Sequence, residues 1–467
     1  MLREATRRAL ADIAGYGANG VFVPLDDERE ATDLPVRGVI PPELDGLYLR
    51  NSFNSHPSRS TPQPHVFLED GMVHGVRIAQ GRALWYRNRW VSTDGLAQVA
   101  NRAPPGGPAD RRWSFGNAAN VSVVAHAGRL LALGETGLPY ELNEQLETVG
   151  RCDFGGGLAR SMTAHPKRDP GTGALHGFGY WPRRPYVTYF RVDPDGRMAR
   201  AEPVDVAGAT VMHDFAVSER FAVFVDQPLL FERPPRPGGG LPFRWAPEYG
   251  SRLGLLDLHR EGVPVRWFAI DTCFISHVLN AFDDGAQVVL RAVVSHPYYL
   301  TGMPPPRAAS LSMHEWRIDT LTGRVSSTCI ADSPGEFPRF DDRLTGRAHR
   351  YGYSTEIVLR HGWLACGGLF KYDFAKGAVE HHRFSEYEAA SEAQFVPASE
   401  DSAEDEGWVL CLVYDARVDR SRLVVLDAQR FSNEEVASIE LPQRVPYGAH
   451  GTWVERQALE RARSPCR

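Results

Sequence analysis

The chain has 467 residues, 43% hydrophobic and 24% charged, with 52 Lys and Arg against 58 Asp and Glu. That is an ordinary composition for a globular protein. A net charge of −6 without a basic stripe excludes the electrostatics that nucleic-acid binding requires.

In chain order, residues 3–14 alternate charge with small apolar residues and predict a short helix inside a lead-in, 1–30. The charged start Met1–Arg8 runs into no apolar segment, so no secretory leader is expected. No apolar run in the chain is long enough to span a bilayer. Beyond the lead-in, helical periodicity is scarce. Short runs rich in β-branched and aromatic residues recur at Val73–Ile78, Leu84–Val91, Leu130–Leu133, Phe221–Val225, Val288–Val294, Trp408–Val413 and Leu423–Leu426. Turn signals bound them: Gln80-Gly81, Ala127-Gly128, Pro194-Asp195-Gly196, Asp284-Gly285 and His361-Gly362. One segment differs. Residues 226–249 are rich in Pro and Gly and carry Leu229, Leu230, Phe231, Leu241, Phe243 and Trp245. They read either as a long loop packed on its own aromatics or as an exposed apolar rim where a greasy substrate enters. The six cysteines have no Cys-x-x-Cys spacing, which suits reduced, mostly buried thiols in a cytoplasmic protein.

Many short strands with turn punctuation predict an all-β sandwich, barrel or propeller. The chain is too long for one sandwich. A propeller of six to eight four-stranded blades fits as a single domain over 1–467, at about 60 residues per blade. No repeat motif such as Trp-Asp fixes the number of blades.

Four of the 16 histidines stand in unusual, widely separated contexts: His165 before Pro166, His213 in Val-Met-His-Asp-Phe, His277 in Ser-His-Val-Leu-Asn, and His450 before Gly451. His165 and His450 fall at expected strand ends. His213 is expected to open a strand, Phe215–Val225, and His277 to border the Asn280–Phe282 region. Most histidines are hydrogen-bonded core or surface residues, so each of these alone says little. Four neutral imidazoles together suit Zn, Cu, Ni or Fe(II). The short cysteine spacing of structural zinc sites is absent, which favours a catalytic metal. Each ligating ring then needs an acceptor for its other N–H. Glu135, Glu336 and Glu392 sit in apolar or small-residue settings, but spacing does not choose them from 58 acidic residues.

The motifs resemble those of the carotenoid cleavage oxygenases, a family that includes apocarotenoid and lignostilbene dioxygenases. Leu34–Asn51 is similar to the family's opening segment and Glu69–His74 to its next signature. Ala164-His165-Pro166-Lys167, His213-Asp214-Phe215, His277–Ala281 and Tyr447–Thr452 resemble its four ligand motifs, in order. Glu404–Leu410 resembles its late strand signature. The resemblance implies a seven-bladed β-propeller, capped by helical and loop insertions, with Fe(2+) on its axis. His165, His213, His277 and His450 would bind the iron. Glu135, Glu336 and Glu392 would orient three of those histidines and leave the fourth without a carboxylate. The implied reaction inserts O2 across a conjugated carbon–carbon double bond of an apolar substrate, bound in a dry tunnel. No required protein partner is evident, and the apolar residues of 226–249 suggest loose peripheral contact with a membrane surface.

The chain also departs from the family. The common Arg-Asn-Gly-Pro-Asn-Pro reads Arg50-Asn51-Ser52-Phe53-Asn54-Ser55-His56-Pro57. Gly134 stands where lignostilbene-type members carry a lysine, which weighs against a phenolate substrate. Ser276 is small where some members carry an aromatic. Gly134, Ser276 and Val121 are therefore candidates for the wall of a roomier cavity. A carotenoid or apocarotenoid is the expected substrate. The alternatives are the same cleavage of a stilbene or phenylpropanoid, and a non-catalytic metal- or ligand-binding propeller.

Overall fold

The alternating apolar runs form strands because glycine-bearing dipeptides turn them back on themselves. Gln80 and Gly81 both have positive φ, 53° and 69°, between strands Gly71–Ala79 and Arg82–Trp90. That two-residue turn twists in the sense of its flanking strands. Ala127 and Gly128 repeat it at 50° and 70° between Ser122–His126 and Arg129–Leu133. His361-Gly362 and the expected helix at 3–14 lie outside the residues that the computed structural model describes, which are 20–60, 65–108, 117–232, 241–301, 311–360, 363–432 and 434–463.

The strands form seven antiparallel sheets that make the blades of a seven-bladed β-propeller. Blades two to six each take four strands consecutive along the sheet, starting from innermost strands Ser122–His126, Lys167–Arg168, Phe215–Val217, Phe274–Asp284 and Gly335–Arg339. Blade seven starts from Glu388–Ala390 and Gln394–Pro397, which both pair with Gly407–Asp415. Blades one and seven each join the two ends of the chain. In blade one the late strand Gly451–Glu455 pairs with Gly46–Phe53, in register Arg50 to Gly451. In blade seven the early strand Val36–Gly38 pairs with Ala437–Glu440. This double closure satisfies backbone groups that an open ring would leave as exposed sheet edges.

The apolar core is divided among the gaps between blades. Leu47, Leu49 and Val73 of blade one meet Leu130, Ala132 and Tyr140 of blade two. Val223, Leu253 and Leu255 of blade four meet Ile275, Val288 and Leu290 of blade five. Tyr48 and Ile78 of blade one meet Leu410 and Val425 of blade seven, closing the circle. Among the described residues, each adjacent pair of blades shares one such cluster. Because apolar residues fill the gaps between blades, polar side chains on the innermost strands can converge.

Of the two readings of 226–249, the exposed rim does not hold for Leu229, Phe231 and Phe243, which are buried. Leu229–Phe231 pairs with Phe243–Trp245 as a two-stranded ribbon that joins the core between blades three and four. The Val211 N–H donates to the Leu229 carbonyl (2.7 Å), and the Phe231 N–H to the Ala209 carbonyl (2.9 Å). The ribbon is thus tied to the segment that leads into His213. Burial wins because these side chains complete a cluster with Tyr180, Met212 and Phe215. Among the described residues, no helix is long and apolar enough to cross a membrane. Cys152 and Cys411 are buried, Cys273 is half-buried and Cys329 is exposed.

Candidate metal centre

Four innermost strands carry the four histidines to one place. His165 lies two residues before Lys167–Arg168, His213 two before Phe215–Val217, and His450 directly before Gly451–Glu455. The expected strand Phe215–Val225 is split by a turn at 218–220 into Phe215–Val217 and Phe221–Asp226. His277 lies inside strand Phe274–Asp284 rather than beside one. There the register shifts between Ile275 and Val278, so Ser276 and His277 together oppose a single partner residue. Such a bulge re-aims a side chain that strict alternation would fix. The same device recurs at Glu336, where the register shifts between Glu336 and Arg339.

The loop before His450 is held from below. The buried Arg50 guanidinium donates to the carbonyls of Gly448 and Ala449. The Asn51 N–H donates to the His450 carbonyl (3.3 Å), and the His450 N–H donates to the Val121 carbonyl (3.2 Å). Position 448 must be glycine, since a Cβ there would lie 2.1 Å from the Asn51 oxygen. Arg50 and Asn51, the end of the family-like segment Leu34–Asn51, thus hold this loop.

The imidazoles face one another. His213 Nε2 lies 3.1 Å from both His165 Nε2 and His277 Nε2. The His450 ring centroid is 4.5 Å from that of His165 and 5.1 Å from that of His277. The ligating atoms of His165, His277 and His450 all lie within 4.8 Å of one another. Three rings have a carboxylate at the opposite nitrogen: Glu135 Oε1 at 3.0 Å from His213 Nδ1, Glu336 Oε2 at 2.9 Å from His277 Nδ1, and Glu392 Oε1 at 2.9 Å from His450 Nδ1. Glu392 also accepts the Gly451 N–H through Oε2 at 2.7 Å.

This arrangement fits a cation. An Nδ1–H given to a carboxylate leaves Nε2 as a bare lone pair. His213 and His277 then point two lone pairs at each other across 3.1 Å, which is repulsive unless a positive ion shares them. His450 Nε2 is buried and has no hydrogen-bond partner. Metal–imidazole bonds of about 2.1 Å meeting at right angles put neighbouring nitrogens about 3.0 Å apart. Burial holds His450 down to about 4, against the raising effect of Glu392, so its ring is neutral at neutral pH. Burial and the neighbouring histidines push His165 well below its ordinary value. Burial opposes ionisation of Glu392, yet His450 and Arg339 bring it to about 2, a carboxylate throughout.

Other residues of the site were not singled out by sequence. The Tyr180 hydroxyl donates to Glu135 Oε1 (2.7 Å), the oxygen that also faces His213. Phe337 sits in the bulge after Glu336 with φ of +55°. Its ring centroid is 5.3 Å from His277 and 5.6 Å from His450. Nothing local in the sequence marks either role. The three residues expected to line the cavity have close neighbours in the fold. A Cβ on Gly134 would lie 2.8 Å from Asn117 Oδ1 and 3.0 Å from the Ala119 nitrogen, so Asn117 fills that space. Ser276 is buried in its strand with Oγ 3.5 Å from the Val293 carbonyl. Val121 packs in the core with Phe53, Leu131 and Ala449.

Comparison with known proteins follows the same lines. Residues 22–455 match the family model described as RPE65, retinal pigment epithelial membrane protein. The chain is 35% identical over 486 residues to a carotenoid cleavage oxygenase of Mycobacterium tuberculosis, covering 93% of this chain and 96% of that protein. It is 32% identical to a carotenoid 9,10(9',10')-cleavage dioxygenase of Crocus sativus, covering 95% and 89%. Among solved structures, the lignostilbene dioxygenase of Pseudomonas brassicacearum superposes with a TM-score of 0.83 at 30% identity, covering 92% of this chain and 96% of that one. Cobalt-substituted apocarotenoid oxygenase of Synechocystis gives a TM-score of 0.81 at 26% identity, covering 93% and 98%.

Proposed function

We infer that this chain, which belongs to the carotenoid cleavage oxygenase family, is a dioxygenase that cleaves a conjugated carbon–carbon double bond of a carotenoid or apocarotenoid with O2. The products are two carbonyl compounds, aldehydes or ketones. Both oxygen atoms of O2 end in the two new carbonyl groups, so the reaction balances without a further reductant. The observation that carries this reading is the meeting of His165, His213, His277 and His450, with carboxylates behind three of them.

In this reading the four histidines hold Fe(2+), which supplies the activation of O2. Glu135, Glu336 and Glu392 accept the Nδ1–H of their histidines, which fixes each ring's tautomer and aims Nε2 inward. Tyr180 steadies Glu135 by donating to the same oxygen that faces His213. Phe337 presents an apolar ring beside His277 and His450, where it turns water away from that side of the site. A polyene is held mainly by removal of its surface from water, at roughly 25 cal/mol per Å2. No side chain is needed as a general base, because the reaction moves no proton.

The same cleavage of a stilbene is the second reading, favoured by the likeness to lignostilbene dioxygenase. Against it, position 134 is glycine, and the family lysine that would face a phenolate is missing. We place the protein in the cytoplasm.

The test is to incubate ferrous-loaded protein with apocarotenoids and stilbenes under 18O2 and identify products by mass. One label in each of two apocarotenoid fragments supports the first reading. Turnover of stilbenes alone transfers it to the second. Absence of O2 consumption with every substrate overturns both.

A further inference from the structure

Among the four inward-facing histidines, His165 stands apart. It alone has no carboxylate at its ring Nδ1 among the described residues, and its strand, Lys167–Arg168, is the shortest of the innermost strands. Yet its ring holds the same 3.1 Å approach to His213 that His277 does. Its backbone is fixed instead. The Thr163 hydroxyl accepts the His165 N–H (3.0 Å) and donates to the His213 carbonyl (3.3 Å). The Ser122 hydroxyl, from blade two, donates to the Ala164 carbonyl (2.6 Å). Two residues after His165, Lys167 Nζ reaches Asp214 Oδ1 at 2.8 Å.

Asp214 is the junction. It follows His213 directly, and its side chain is almost fully buried at 3% exposure. Oδ1 takes Lys167 and the Phe215 N–H (2.8 Å). Oδ2 takes the Val278 N–H at 2.8 Å, and Val278 follows His277 directly. One carboxylate therefore joins the residues beside three of the histidines, on three successive blades. A buried charge is costly unless paired and hydrogen-bonded. Asp214 meets that condition only while blades three, four and five keep their present spacing.

We propose that Asp214 is a positioning residue that sets the mutual spacing of His165, His213 and His277, with Lys167 as the arm through which it holds His165. It does for the His165 segment, through the backbone, what Glu135, Glu336 and Glu392 do for the other rings directly. This rests on the ligand set proposed above. Outer contacts of this kind typically change metal retention 10–100-fold when removed. Asp214→Asn keeps the shape of the side chain but has one acceptor oxygen where Asp214 has two, and no charge for Lys167. Lys167→Met removes the arm and leaves both backbone bonds of Asp214 in place. Lys167→Arg keeps a cation within reach.

The experiment uses the full-length protein loaded with Co(II). Its ligand-field absorption reports ligand spacing, and its loss to a chelator reports retention. The unaltered protein and Lys167→Arg are expected to give the same spectrum and release rate. Asp214→Asn is expected to shift the band and release Co(II) at least about 10-fold faster, with Lys167→Met between them. A lowered thermal midpoint with spectrum and release unchanged in both Asp214→Asn and Lys167→Met would make Asp214 merely structural and overturn the proposal. If Asp214→Asn does not fold, Lys167→Met against Lys167→Arg decides alone. A Co(II) band missing from the unaltered protein would overturn the ligand set itself, and this inference with it.

Discussion

The Nε2 atoms of His213 and His277 face each other at 3.1 Å, while the far nitrogen of each ring is engaged by a carboxylate, Glu135 and Glu336 respectively. Neither ring can turn its proton inward without losing that carboxylate. The pair is thus set to share a cation, and the surrounding residues act by preserving this geometry.

Glu392 tests that view most simply. It accepts two donors at once, His450 Nδ1–H and the Gly451 N–H. Glu392→Gln must turn its NH2 group toward one of them. The expected cost is about 1–3 kcal/mol of stability, together with a 10–100-fold loss of metal retention. Chemical denaturation and metal content after dialysis against chelator measure the two effects. Unchanged retention would separate Glu392 from the metal.

Phe337 carries a side chain where the backbone favours glycine, with φ of +55°. Left-handed backbone costs an L-residue roughly 1–2 kcal/mol. Phe337→Ala loses the ring and keeps that cost, whereas Phe337→Gly loses the ring and relieves it. The glycine variant should therefore be the more stable of the two by about 1 kcal/mol. Both should leak water into the site and lower turnover. Equal stability of the two variants by denaturant titration would contradict a strained backbone there.

The blades also bury histidines away from the axis. Burial, with a further push from Arg291, brings His349 down to about 3, and burial with Arg50 brings His74 to about 3. The unfolded chain takes up these protons near pH 6.5, while the native protein does not until about 3. The stability these groups provide is therefore complete above pH 6.5 and is lost as pH falls toward 3. Each contributes about 1.4 kcal/mol per pH unit in that window. His349→Asn in metal-free protein should flatten the dependence of unfolding free energy between pH 6.5 and 5 by about one proton. A slope unchanged from the parent would refute the assignment.

Much of this was legible in the sequence. The apolar runs at Val73–Ile78 and Val288–Val294 lie within strands Gly71–Ala79 and Gln287–Ser295. Local alternation and glycine turns suffice for that. The number of blades was not legible, because each core cluster is built from two different blades with unrelated sequences. The family-like motifs located the four histidines and three glutamates that the fold brings together. They did not reveal Phe337 or the bulges at His277 and Glu336, which depend on cross-strand register. The contact of Gly134 with Asn117 was not legible, because Asn117 is distant in sequence and adjacent only in the folded chain. The apolar residues of 226–249 looked exposed because the core they join, with Tyr180, Met212 and Phe215, lies outside the segment.

The central claim is that four imidazoles share one ferrous ion. X-ray absorption at the iron edge of ferrous-loaded protein tests it directly. The account predicts one iron per chain with about four imidazole nitrogens near 2.1 Å and no sulfur neighbour. A sulfur scatterer, or a site with only one or two imidazoles, would contradict it.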